Sequence, residues 1–67
     1  MAEGIVKWFH VERGYGFITP DDGSRDVFIH HSAIETTGVT ALDENQRVEF
    51  ASEPSPRGPR ALQVRLL

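Results

Sequence analysis

Apolar residues in this chain recur with a period of two rather than with the period of a helix, in short runs broken by glycine, proline and aspartate. In the segment 46–53, Val48 and Phe50 fall on one face and Arg47, Glu49 and Glu53 on the other. The segment 59–66 repeats the alternation, with Leu62, Val64 and Leu66 inward and Gln63 and Arg65 outward. Asp26-Val27-Phe28-Ile29-His30 sets Val27 and Ile29 against Asp26, Phe28 and His30. Another strand is predicted over 15–19, where Ile18 faces away from Tyr15 and Phe17. The first, 4–11, is β-branched and aromatic but alternates poorly, since Ile5, Val6, Trp8 and Phe9 leave neither face polar. Lys7 and Trp8 would point to opposite sides unless a bulge or strong twist intervenes, and we expect such a distortion there.

The connections follow from turn chemistry. Glu12-Arg13-Gly14 is a tight turn, and 20–24 (Pro-Asp-Asp-Gly-Ser) is a loop. His31 to Ile34 allows no more than one helical turn. The stretch 35–45 is polar, holds Gly38, and contains a cap-like Thr40-Ala41-Leu42-Asp43. Pro54-Ser55-Pro56-Arg57-Gly58 reads as an exposed, semi-rigid loop. The prediction is an all-β chain of five short strands forming a single domain over residues 1–67, with no real helix.

One apolar face then collects Val6, Ile18, Val27, Ile29, Val48, Phe50, Leu62, Val64 and Leu66. A sheet this small can roll around that set once, with no helix or second sheet left to cover its other side. Yet the other side carries Tyr15, Phe17, Phe28 and His30, joined by Trp8 if the distortion turns it outward. Buried core is the usual fate of aromatic pairs. Here the interior is already filled, and an outward aromatic cluster on a small domain marks a binding surface.

Composition narrows what that surface takes. At 67 residues with no cysteine, the chain has neither a disulfide nor a thiolate for a metal. No stretch reads as a signal peptide or membrane span, so a soluble, cytoplasmic protein without a membrane partner is expected. Seven Lys and Arg against ten Asp and Glu give a formal net charge of −3. A nucleic-acid partner must then be held by stacking and a few local cations, not by a global positive field.

Arg13-Gly14-Tyr15-Gly16-Phe17-Ile18 supplies such a platform: basic, glycine, aromatic, glycine, aromatic, aliphatic, an RNP-type pattern with Ile in place of Val. An RRM places such a segment on its third strand after a helix, and here it starts at residue 13 with no helix before it. Enzyme chemistry would draw on His10, His30, His31, Ser32 and Asp26. Adjacent His30 and His31 diverge if both are extended, and no metalloprotease-type motif is present, so neither a catalytic nor a metal site is expected. No cofactor or small-molecule substrate is expected either.

Together with Gly4-Ile5-Val6-Lys7-Trp8-Phe9, Val27-Phe28-Ile29-His30, Ser32-Ala33-Ile34, Leu42-Asp43-Glu44 and Gly58-Pro59-Arg60-Ala61, that segment closely resembles the bacterial cold-shock proteins along essentially the whole chain. The resemblance implies a five-stranded antiparallel OB-fold barrel, a monomer that binds single-stranded RNA and DNA and serves as an RNA chaperone. Carried over by position, it implies stacking by Trp8, Tyr15, Phe17, Phe28 and His30, with polar contacts from Lys7, Arg13, Asp26 and Arg57. His31 joins the set although it stands where the family usually has phenylalanine. Val39 replaces a frequent aromatic and His10 a common asparagine, so a weaker footprint is expected near His31 and Val39. Phe9 is assigned to packing as readily as to the margin of the face. Because OB barrels also hold oligosaccharides and proteins, the same face could serve either.

Overall fold

Each predicted strand forms, within a residue or two of its expected ends. The computed structural model describes residues 1–67 and contains β1 (Ala2–His10), β2 (Tyr15–Pro20), β3 (Val27–His30), β4 (Arg47–Glu53) and β5 (Arg60–Leu66), with one 3₁₀ turn at His31–Ala33. The strands close into a barrel in the order β1-β2-β3-β5-β4. Four of its five seams are antiparallel, as expected, and the β3–β5 seam is parallel. Parity requires this. Strand directions alternate along the chain, and an odd number of alternating strands cannot close a ring without one parallel neighbour.

The interior holds Val6, Ile18, Val27, Ile29, Leu42, Val48, Phe50, Ala61 and Val64, all buried, with Phe9, Ala33, Ile34, Val39 and Leu66 packed against them. Seven of the nine predicted inward residues are buried and Leu66 is half-buried. Leu62 is the exception, at 45% exposure. Its strand does not keep strict alternation: Ala51 pairs with Gln63 and Ser52 with Ala61, so Leu62 is an extra, unpaired residue in β5. The bulge changes the phase of the strand, and Ala61 turns inward where Leu62 was expected. Leu42 also enters the core from the long loop 34–46, where Thr40-Ala41-Leu42-Asp43 starts no helix. Burial of an apolar side chain outweighs a local capping signal there.

The expected distortion in β1 is a bulge as well. Val6 pairs with Ile18 and Trp8 with Phe17, which leaves Lys7 unpaired and puts both Lys7 and Trp8 on the outside. Nearby, Arg47 at the start of β4 bonds Asp21 at 2.8 and 3.0 Å and Glu3 at 3.1 Å, tying β4 to β1 and to the loop after β2.

Two outcomes follow from this packing. Phe50 is 1% exposed, so Phe50→Ala should cost about 3–5 kcal/mol of stability in a denaturant titration, enough to threaten folding of so small a chain. Hydrogen bonds from Arg47 hold the Asp21 carboxyl below the usual aspartate range. A carboxyl with a depressed folded-state pKa adds stability above its unfolded value of about 3.9, and loses that increment as pH falls through the folded value. Wild type and Asp21→Asn should therefore differ in Tm at neutral pH and converge in acid; a gap constant with pH would show that the pair carries no proton linkage.

Candidate nucleic-acid interface

Ladder register arranges the outward rings in two rows of three across β1, β2 and β3. One row is His10, Tyr15 and His30; the other is Trp8, Phe17 and Phe28. Cross-strand neighbours at this spacing are in reach of one another, and the rings touch. Trp8 and Phe17 have centroids 5.4 Å apart, Phe17 and Phe28 5.7 Å, Tyr15 and Phe28 5.8 Å, and Trp8 and Tyr15 5.8 Å, closing a circuit of four. His10 lies nearly parallel to Tyr15 at 6.2 Å. Tyr15, Phe17 and Phe28 are half-buried by these contacts, and Trp8 is 37% exposed. Each ring is steadied by its neighbours while keeping surface open to solvent, a preorganised apolar platform.

Local geometry explains why β2 can carry this face. A Cβ at Gly16 would run into the Trp8 carbonyl oxygen and lie 2.8 Å from Phe9 Cα, so only glycine lets β1 approach closely enough to seat Trp8 beside Phe17. Phe9 itself is partly buried and packs against the core. Gly14 has φ +73°, and the His31 ring lies where its side chain would be.

The two adjacent histidines do not diverge. Their ring centroids are 4.3 Å apart, because His31 leaves the extended strand and opens the 3₁₀ turn. His30 Nδ1 accepts from the Ser32 backbone N–H at 3.3 Å and lies 2.9 Å from the Ser32 hydroxyl. With Nδ1 accepting, the neutral ring carries its proton on Nε2, a donor not used by these contacts.

At the Trp8 end of the platform the bulged Lys7 reaches Asp26 at 2.9 Å, and the Thr19 hydroxyl donates to the same carboxylate at 3.4 Å. At the other side, residues 55–60 of the β4–β5 connection and the start of β5 face Tyr15, Phe17, Asp26 and Phe28 across a groove of about 720 Å³, with Arg57 in its wall. Sequence reasoning picked out Arg57 from this wall but not Ser55, Pro56 and Pro59; their signal was the proline spacing that stiffens the loop. Arg13 is exposed in the turn between β1 and β2, beside Gly14. Nine of the ten predicted site residues thus lie on the platform or along its rim, and Arg13 lies in the exposed turn that leads into β2. Val39, by contrast, packs on the core from the long loop.

Charge is distributed unevenly around this face. Arg47 pairs with Glu3 and Asp21, Arg60 with Glu53 at 3.1 Å and Arg65 with Glu35 at 3.4 Å, besides Lys7 with Asp26. That leaves Arg13, Arg25 and Arg57 without a carboxylate partner. All three are exposed and belong to connections between strands.

Comparison with known proteins agrees with this architecture. Residues 2–67 match the family described as "'Cold-shock' DNA-binding domain". "Probable cold shock protein A" of Mycobacterium tuberculosis is 55% identical over 67 residues, the full length of both chains. "Cold shock-like protein CspJ" of Salmonella typhi is 57% identical over 61 residues, covering 91% of this chain and 87% of its own. The solved structure "drosophila Unr CSD456" superposes with a TM-score of 0.80 at 21% identity, over 98% of this chain and 26% of its own, and so speaks for the fold alone. No helix is long and apolar enough to cross a membrane. With a match running through residues 2–67 and relatives aligned end to end, the chain belongs to the cold-shock domain family, a nucleic-acid-binding family.

Proposed function

We propose that this protein binds single-stranded RNA and DNA on the two-row aromatic face and acts as an RNA chaperone, holding transcripts unpaired. The observation that carries this reading is the circuit of four touching rings on an outer face, flanked by histidines and by arginines without carboxylate partners. In this reading Trp8, Tyr15, Phe17, Phe28 and His30 stack bases, and Lys7, Arg13, Asp26 and Arg57 contact bases or phosphates. His31, ring against His30, offers an imidazole at the margin. The protein works as a single cytoplasmic domain and a monomer, without catalysis or a cofactor.

The chemistry follows from what each form of nucleic acid presents. An unpaired strand can splay its bases onto the rings, each contact worth about 1–3 kcal/mol by truncation. A duplex keeps its bases stacked inward and offers mainly phosphate, for which a chain of net charge −3 has little attraction. Binding therefore draws duplex–single-strand equilibria toward the unpaired form by mass action, without ATP.

Trp8 lies within the face, so its fluorescence reports binding directly. Titration should show saturable binding of single-stranded oligonucleotides and little response to blunt duplex; equal affinity for both would refute stacking as the basis of recognition. Phe28→Ala should lose about 1–3 kcal/mol of binding with a small stability cost, the reverse of Phe50→Ala. Competition by an oligosaccharide instead of by an oligonucleotide would reassign the face. With Lys7, Arg13 and Arg57 as the cations of the face and a single-strand slope near −0.7 per neutralised phosphate, log K against log salt should run at about −2. A slope steeper than about −3 would mean that charge, not stacking, holds the complex.

A further inference from the structure

Of the three arginines without a carboxylate partner, Arg25 is not accounted for by the ring face. It is the one basic residue in the acidic connection between β2 and β3, Asp21-Asp22-Gly23-Ser24-Arg25-Asp26. The acids around it are otherwise engaged: Asp21 with Arg47, Asp22 with the Ser24 hydroxyl and backbone N–H at 2.6 and 2.9 Å, and Asp26 with Lys7. Its guanidinium crosses over to the opposite connection and lies against Gly58, where a Cβ would be 3.0 Å from Nη2 and 3.5 Å from Cζ. Contact with a residue that has no side chain leaves the edges of the fork, with its five donors, free of protein partners.

Arg25 also lines a second recess, of about 340 Å³, with Ser52, Glu53, Pro54, Ser55, Gly58 and Pro59. None of these residues is a large apolar one, so the recess suits no stacked base. Its one carboxylate, Glu53, is held by Arg60 at 3.1 Å. Ser55, Gly58 and Pro59 line this recess and the ring groove alike, so the two adjoin at the β4–β5 connection. Arg57 stands in the wall of the ring groove and Arg25 in the wall of the adjoining recess.

We infer that Arg25 forms a phosphate subsite beyond the rings, which takes the backbone of a nucleotide whose base is not stacked on the protein. The inference rests on the reading of the ring face as a single-strand site and extends it, from a platform that counts bases to one that also senses strand length. A guanidinium fork matches phosphate oxygens bidentately, and phosphate contacts position a strand without reading its sequence.

The test is a length series of single-stranded oligonucleotides, from about four to about nine nucleotides, read by Trp8 fluorescence at several salt concentrations with wild type, Arg25→Gln and Arg25→Lys. Arg25 is exposed and makes no hydrogen bond that holds the fold, so equal Tm values should verify that the variants are intact. Arg25→Gln should leave affinity for the shortest strand within about twofold. For the longest it should lower affinity roughly three- to tenfold and make the log–log salt slope shallower by about 0.7, one phosphate's worth. Arg25→Lys should restore the slope. An unchanged slope and affinity for the longest strand would overturn the subsite, and an equal loss at every length would place Arg25 inside the ring groove instead. Failure of the wild type to bind any strand would remove the single-strand reading itself, a result distinct from both.

Discussion

Closing five short strands on themselves leaves an interior wide enough for one set of side chains, and that volume decides where everything else goes. Nine buried residues fill it. One of the nine, Leu42, wedges in from a loop, and every further large side chain must lie at the margin or outside. The aromatic residues of β1, β2 and β3 are therefore not displaced core. They occupy the outer face of strands whose inner positions are already taken by Val6, Ile18, Val27 and Ile29. The ring platform and the hydrophobic interior are the two sides of the same sheet, fixed by one register.

That register was legible in the sequence wherever alternation was unbroken. Val27 and Ile29, Val48 and Phe50, and the outward Tyr15, Phe17 and Phe28 all lie where period two puts them. It failed at Leu62, because a bulge shifts the phase of a strand by one residue and leaves no mark in composition: Ala61 and Leu62 are equally acceptable to either face. In β1 the same irregularity was visible in advance, since two large residues and a lysine competed for incompatible sides. His30 and His31 show a different limit. Their divergence was expected of extended backbone, and the chain leaves the extended conformation between them, so the two rings meet. The groove wall from Ser55 to Pro59 was harder still, because a loop's stiffness can be read from its prolines but not the element it leans toward.

The acidic balance of the chain takes on another meaning once its ion pairs are placed. Four of the seven basic residues are engaged by carboxylates, several of them joining one strand or loop to another. Such exposed pairs add little stability singly. Their effect here is spatial: they neutralise cations along the strands and leave unpaired ones only at the connections. Lys7, held by Asp26 beside Trp8, carries its own counterion, so a phosphate arriving there must displace a carboxylate as well as dissolved ions.

The parallel seam has a bearing on motion. Between β3 and β5 the ladder reduces to the pair Phe28–Arg60, supported by the bond from Phe28 N–H to the Pro59 carbonyl at 3.0 Å. The barrel is thus least securely laced where the rings face the β4–β5 connection, and sub-global opening starts at the most weakly bonded edge. Phe28 stands on one lip of that seam and Pro59 and Arg60 on the other, with the large groove lying across both. A molecule seated in the groove sutures the barrel as it binds, so slowed hydrogen exchange at the Phe28 amide and occupancy of the groove are two readings of a single equilibrium.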